Sequence, residues 1–282
     1  MKVLILGSTG VLGKNLSLLL LKKKIEVSYI SRRKNIKSHK YLKDFSNFKK
    51  LEKLILEINP THIVNCLGVT HFNKDFKLKK KTSLINTKLP KFLSKFSLKN
   101  KIFFLHISTD CVFSGKKGLY NENSIKDATD LYGKTKSRGE VQNKYSGTIR
   151  TSFIGPETST SESLLNWFLK QKNPVNGFTK AYFSGLTSLE ISIIIYNHFL
   201  KKKYLYNRII NISGNRISKY SLLNEISKTF KKEILIKKYS NFQIDRSLNN
   251  RLFINKTNYK VKSWSLMLKE LNRFMIENGY KF

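Results

Sequence analysis

Val3-Leu-Ile-Leu6 runs directly into Gly7-Ser-Thr-Gly10-Val-Leu-Gly13, and Leu12–Leu21 carries on from it at helical spacing. A four-residue apolar run has the length of a buried strand. Glycines at 7, 10 and 13 allow a tight turn and let backbone N–H groups approach an anion. The helix that follows turns its positive end toward that turn. Glycines alone would also serve an ordinary turn. A strand before and a helix after make the stretch the opening unit of a nucleotide-binding α/β half. The expected cofactor contacts here are Gly7, Thr9, Gly10, Val11, Leu12 and Gly13.

Outward from this unit, strands and helices alternate. Val27–Ile30, His62–Cys66, Ile102–Ile107 and Gly147–Arg150 read as strands. Phe48–Ile58 and Ser83–Phe96 read as helices, with Pro90 a kink point inside the second, and Asp130–Asn143 reads as a third. This alternation predicts an α/β fold, a doubly wound parallel sheet of Rossmann type with a small C-terminal substrate lobe. Past Thr151 the pattern loosens. Helices are expected at Leu164–Lys170, Leu186–Leu200, Tyr220–Phe230 and Trp264–Asn278, and strands at Ile209–Ile212 and Ile234–Ile236. Residues 1–155 are read as the dinucleotide-binding domain, its sheet completed by parts of 186–214. Residues 156–282 are read as mainly substrate lobe.

The 282 residues suffice for a sizeable core, and no internal repeat interrupts them. Cys66 and Cys111 sit in apolar, strand-like contexts and read as buried free thiols. No Cys or His spacing suits a metal, and none is expected. No targeting segment or membrane span is expected either. The apolar run Leu16–Leu21 is too short to cross a bilayer and reads as a helix face, so the expectation is a cytoplasmic protein.

Lys plus Arg number 54 against 18 Asp plus Glu, a formal net charge of +36. Such a balance raises the question of nucleic acid. The basic residues are spread along nearly the whole chain, which reads as compositional bias, and no specific nucleic-acid partner is expected. An anionic nucleotide would be attracted in either case.

The second strand ends in Tyr29-Ile-Ser-Arg32-Arg33. An acidic residue at this position would bind a ribose hydroxyl, whereas Arg32 and Arg33 suit a 2′-phosphate. NADPH is therefore favoured, with NADH the alternative. Asp44-Phe45 stands where it could meet the adenine, or where Asp44 or Ser46 could cap a helix. Leu67 and Gly68 follow the third strand at the edge that lines such a crevice, and Ser108-Thr109-Asp110 ends the fourth. Thr109 could hydrogen-bond a substrate carbonyl and Asp110 a sugar hydroxyl. Tyr132-Gly-Lys-Thr-Lys136 places a phenol and an amine on one helix face. A free tyrosine titrates near ~10, and an adjacent positive charge lowers such a value by roughly 1–3 units. The pair suggests acid–base chemistry beside a bound nucleotide.

Together these residues resemble the extended short-chain dehydrogenase/reductases, and more narrowly the dTDP-4-dehydrorhamnose reductase branch. The text that carries the resemblance is Gly7–Gly13, Asp44-Phe45-Ser46, Ile63-Val-Asn-Cys66, Ile107-Ser-Thr-Asp-Cys-Val-Phe-Ser-Gly115, Tyr132–Lys136, Gly139-Glu140 and Ile149-Arg-Thr-Ser-Phe153. It covers about the first 155 residues. The resemblance implies a catalytic set of Thr109, Tyr132 and Lys136, with Tyr132 and Lys136 also touching the cofactor. Asn86 resembles an asparagine that supports a proton relay, although a helix-interior amide is the simpler reading. In the branch a tryptophan that contacts the sugar follows the Arg-Thr-Ser segment. Here that position is Phe153, which keeps stacking and loses the indole donor.

The function so implied is NAD(P)H-dependent reduction of the 4-keto group of a nucleotide-linked 6-deoxyhexose, for surface polysaccharide precursors. Alternatives on the same fold are an epimerase or dehydratase and a non-catalytic NADP-binding regulatory subunit. The nucleotide, the sugar and a homodimeric state stay open.

Overall fold

The computed structural model describes residues 1–32, 39–70, 76–157, 163–203 and 205–280. In chain order the first half comprises β1 (Lys2–Leu6), α1 (Val11–Lys22), β2 (Glu26–Ser31), β3 (His39–Tyr41), α2 (Phe48–Ile58), β4 (His62–Asn65), α3 (Phe76–Ser83), α4 (Leu89–Asn100), β5 (Phe103–Ser108), α5 (Leu131–Gly139) and β6 (Ser146–Arg150). The second half adds β7 (Phe153–Ile154), α6 (Leu164–Lys170), β8 (Val175–Phe183), β9 (Leu186–Thr187), α7 (Ser188–Ile194), β10 (Ile209–Asn211), β11 (Ile217–Ser218), α8 (Lys219–Phe230), β12 (Ile236–Asp245), α9 (Arg251–Thr257) and α10 (Trp264–Glu277).

Seven strands form one sheet in the order β10-β6-β5-β4-β1-β2-β3, every pair parallel. Both faces are covered, as a parallel sheet requires. Alternate residues of β1 go to opposite cores. Val3 and Ile5 join Leu16 of α1, Ile191 of α7 and Met267 of α10. Leu4 and Leu6 join Leu51 and Ile55 of α2 and Leu93 of α4. The winding reverses beside β1, where β2 lies on one side and β4 on the other. A crevice opens at the carboxyl ends of strands at such a point, and this is where ligands bind in open α/β sheets.

Residues after 155 serve two structures. β10 extends the main sheet beyond β6, while β11-β8-β12 form a separate three-stranded sheet with α8 packed beside it. Among the described residues no helix is long and apolar enough to cross a membrane.

Several elements depart from expectation. Ser83–Phe96 was expected as one helix kinked at Pro90. Instead a π-turn, Leu84–Lys88, joins α3 to α4, and Pro90 occupies the first turn of α4. The missing N–H costs nothing there. The helix carrying Tyr132 stops at Gly139 rather than Asn143, because Glu140 leaves the helix to pair with Arg150. The strand expected at Ile234–Ile236 begins at Ile236 and runs to Asp245, and β8 had no counterpart in the sequence reading.

Candidate active site

The glycine turn is held by close contact. A Cβ on Gly13 would lie 2.1 Å from the Gly7 carbonyl oxygen, so only glycine lets α1 start this near β1. Gly10 precedes the helix, is exposed, and carries no side-chain cap. Thr9 and Val11 are half-buried beside it. The first amides of α1 are thus left for a ligand, the arrangement a pyrophosphate needs. Leu12 differs, since its side chain belongs to the core and only its backbone remains for such a role.

A cleft of about 460 Å³ lies between the ends of β2 and β4 and the α3–α4 junction. Arg32, Asp44, Phe45, Leu67 and Gly68 all line it, so five expected cofactor positions come together. Arg33 lies outside the described residues. Lys43, Lys80, Lys81 and Lys88 also line the cleft, and the sequence reading missed all four. They were hidden by the general excess of lysine. Asp44 caps no helix. It accepts from the Ser46 amide at 2.8 Å and from the Ser46 hydroxyl, which hold its carboxyl below the ordinary range. Asn47 caps α2 instead, accepting from the Lys50 amide. The glycine turn packs against Leu67 of the cleft wall, and a cleft lined by Arg32 and four lysines beside that turn fits a dinucleotide phosphate ester.

Asn86 is fully buried in the π-turn. Its Oδ1 accepts from the Val69 amide at 2.9 Å, and its Nδ2 donates to the Val69 carbonyl and to Thr135 Oγ1. The amide therefore clamps the segment after β4 to α5.

Thr109 and Asp110 follow β5, both nearly buried. Thr109 Oγ1 donates to Asp110 Oδ1 at 3.0 Å, accepts from the Cys111 amide at 3.1 Å, and hydrogen-bonds the Tyr132 side chain. Tyr132 stands in the first turn of α5, which Asp130 caps through the Gly133 amide at 2.8 Å. A Cβ on Gly133 would meet the Cys111 carbonyl at 2.1 Å, so this glycine lets α5 press against the turn after β5. Lys136, one turn on, is buried; its Nζ donates to the Ile107 carbonyl and lies 3.4 Å from His106 Nε2.

The expected acidification of the phenol is not what the structure displays. Burial pushes the Tyr132 hydroxyl above its ordinary value, Cys111, Asp110 and Asp130 add to this, and only the Thr109 hydrogen bond opposes it. Burial lowers Lys136 to about 8 against the pull of Glu140 and Cys66. Desolvation outweighs the charge effect that spacing alone suggested.

Phe153 is half-buried in β7, which pairs with β9. Cys66 and Cys111 are free, as expected, but only partly covered, and burial raises both thiols to about 12.

Two cations from the second half reach this region. Arg246 donates to the Phe113 carbonyl at 3.1 Å and lies 3.5 Å from Cys111 Sγ. Lys219 and Arg246 both act on Asp110, whose carboxyl burial nevertheless raises. Next to them is a second cleft, of about 560 Å³, lined by Lys116, Lys117, Lys180, Arg216, Tyr182 and Asp245 among others. Arg216 stacks 3.3 Å above the Tyr182 ring and pairs with Asp245 at 2.8 Å. The sequence offered no spacing signal for these residues, which come from separate loops and strands.

Behind the site, Glu140 and Arg150 are almost fully buried and paired at 2.7 Å. Glu140 also accepts from Ser108 at 3.0 Å and from Lys126 at 3.1 Å. The end of α5 is thereby tied to β5 and β6.

A dTDP-4-dehydrorhamnose reductase from Aggregatibacter actinomycetemcomitans is 29% identical over 98 residues, 34% of this chain and 33% of the relative. The chain spans 33% to 45% of the length of the first curated relatives it matches. A hypothetical dTDP-4-dehydrorhamnose reductase from Sulfolobus tokodaii is 27% identical with a TM-score of 0.77, covering 91% of this chain and 94% of its own. The dTDP-4-dehydrorhamnose reductase of Bacillus anthracis, solved in complex with NADP, shares the fold at a TM-score of 0.82 and 19% identity, covering 97% and 98%. The family model described as "RmlD substrate binding domain" matches residues 1–165, and the chain belongs to that family.

Proposed function

We propose that this protein is an NADPH-dependent reductase of the 4-keto group of a nucleotide-linked 6-deoxyhexose. The observation that carries this reading is the Thr109–Tyr132 hydrogen bond at the carboxyl edge of the sheet, one helical turn from buried Lys136. A reduced nicotinamide dinucleotide supplies hydride when bound. The protein's own groups handle the oxygen. A phenol raised by burial keeps its proton at neutral pH, the form needed to protonate a carbonyl oxygen as it gains charge. Thr109 would turn its one hydroxyl hydrogen from Asp110 to the same oxygen. Lys136 would engage the nicotinamide ribose.

Gly7, Gly10 and Gly13 with the start of α1 would hold the pyrophosphate. Arg32 and its lysine neighbours would hold the 2′-phosphate, which favours NADPH over NADH. Asp110 and Phe153 would meet the sugar, and the basic cleft at Arg216 suits the substrate diphosphate. In this reading residues 1–155 serve mainly the cofactor and 156–282 mainly the substrate. The product class would feed surface polysaccharide synthesis.

The test is NADPH oxidation against a panel of nucleotide-linked 4-keto-6-deoxyhexoses. Stoichiometric consumption with formation of the hydroxy sugar is expected. Product formed without net NADPH consumption would mean an epimerase or dehydratase. Absence of turnover with the whole panel, despite cofactor binding, would overturn the reading in favour of a non-catalytic subunit.

A further inference from the structure

β5 carries a histidine to which the proposed reaction assigns no task. His106 has no solvent exposure and sits between two polar neighbours. Asn65 Nδ2 is 3.2 Å from its Nδ1, and Lys136 Nζ is 3.4 Å from its Nε2. One group in this chain has no choice of direction. The Leu67 backbone N–H can only donate, and it donates to Asn65 Oδ1 at 3.1 Å. The amide nitrogen of Asn65 therefore faces the ring and donates to Nδ1. Nδ1 then carries a lone pair, which puts the ring hydrogen on Nε2, aimed at Lys136. A neutral ring suits this dry position, since burial holds His106 well below 6.5.

An Nε2–H is accepted by the lone pair of an amine. It is opposed by an ammonium, which has three hydrogens and no lone pair. The Lys136 contact with the Ile107 carbonyl is open to either form. We propose that His106 is a positioning residue that biases Lys136 toward the neutral amine, through the chain Leu67–Asn65–His106–Lys136. Glu140 at the end of α5 and Cys66 beyond β4 pull the other way, and Tyr132 faces from the preceding turn of α5.

Charging Lys136 requires the chain to reverse. The ring hydrogen moves to Nδ1, the Asn65 amide turns its oxygen to the ring, and the Leu67 N–H is released. Leu67 lines the cleft assigned to the cofactor. An acceptor that captured the freed amide would therefore favour the charged lysine. This consequence rests on the cofactor reading above, whereas the tautomer does not.

The intact protein, labelled with 15N in histidine, contains five imidazoles, and His106→Phe identifies the signal in question. The expected result is a neutral ring with its hydrogen on Nε2 throughout about pH 5 to 8. A hydrogen on Nδ1, or an imidazolium at neutral pH, overturns the proposal. Lys136 is then followed through 13C at its ε-carbon, with Lys136→Arg giving the assignment. His106→Phe is expected to raise the lysine midpoint by about one pH unit. Asn65→Asp has a side chain that only accepts, so it forces the hydrogen onto Nδ1 and is also expected to raise the midpoint. An unchanged midpoint in a folded variant overturns the proposal. The tautomer itself is measured on the wild-type protein; where His106→Phe does not fold, His106→Gln gives the assignment. None of these readouts needs turnover, so their failure is distinct from failure of the reductase assay.

Discussion

Arg150 donates from both Nε and Nη2 to the two carboxylate oxygens of Glu140, at 2.7 and 2.9 Å, with both side chains almost wholly out of water. The pair joins β6 to the end of α5, and through Ser108 to β5. Removing one partner strands the other as a buried charge. Glu140→Gln is expected to lower stability by about 3–5 kcal/mol. Urea unfolding measures this, and a loss below about 1 kcal/mol would show that water, or the Glu122 carbonyl that already accepts from Arg150, compensates.

Tyr132→Phe removes the proposed proton donor and the partner of Thr109. Turnover is expected to fall about 10²-fold or more, in the range that general acid catalysis supplies. NADPH affinity by fluorescence titration should stay within a few-fold. Near-normal turnover would remove the phenol from the chemistry.

Arg32 directly follows β2 and lines the cleft proposed for the cofactor. Losing one charge-assisted contact to a 2′-phosphate is expected to cut the preference for NADPH over NADH about tenfold. Comparing kcat/KM for the two cofactors in Arg32→Ala checks this. An unchanged ratio would move the selectivity to Lys43 or to the lysines of the facing wall.

Asp110 offers a pH-dependent test of stability. Burial raises its folded-state carboxyl above the ordinary 3.8, more than Thr109, Lys219 and Arg246 lower it. The folded state then holds the proton more tightly than the unfolded chain, and stability falls as pH rises between the two values. Asp110→Asn keeps an acceptor for Thr109 and removes the ionisation. It is expected to stabilise the protein at neutral pH, with the gain vanishing toward about pH 3.8 and below. Melting temperatures across that range decide it. A gain that does not change with pH would point to packing instead.

Much of the architecture was legible because local chemistry specified it. Val3–Leu6 is apolar throughout, as a strand covered on both faces must be, and Gly13 can only be glycine where α1 nearly touches Gly7. Asp130 before Tyr132 marks a helix start that the structure keeps. The misses have a common cause. Pro90 was read as a kink because the π-turn ahead of it depends on packing against α5. The helix end at Gly139 depends on the pairing of Glu140 with Arg150, ten residues further on in β6.

For this protein, the sequence by itself determined most of the alternation of strands and helices in the first half, the glycine turn and the presence of a Tyr/Lys pair, since each follows from periodicity and residue type within a short window. Only the tertiary structure decided what that pair does electrically. Burial raises Tyr132 and lowers Lys136, and His106 reaches the lysine from a strand thirty residues earlier. The same holds for Lys219, Arg246 and Arg216, which meet the first half of the chain across long separations. Desolvation and charge depend on what surrounds a group in space, and no window of neighbouring residues contains that information.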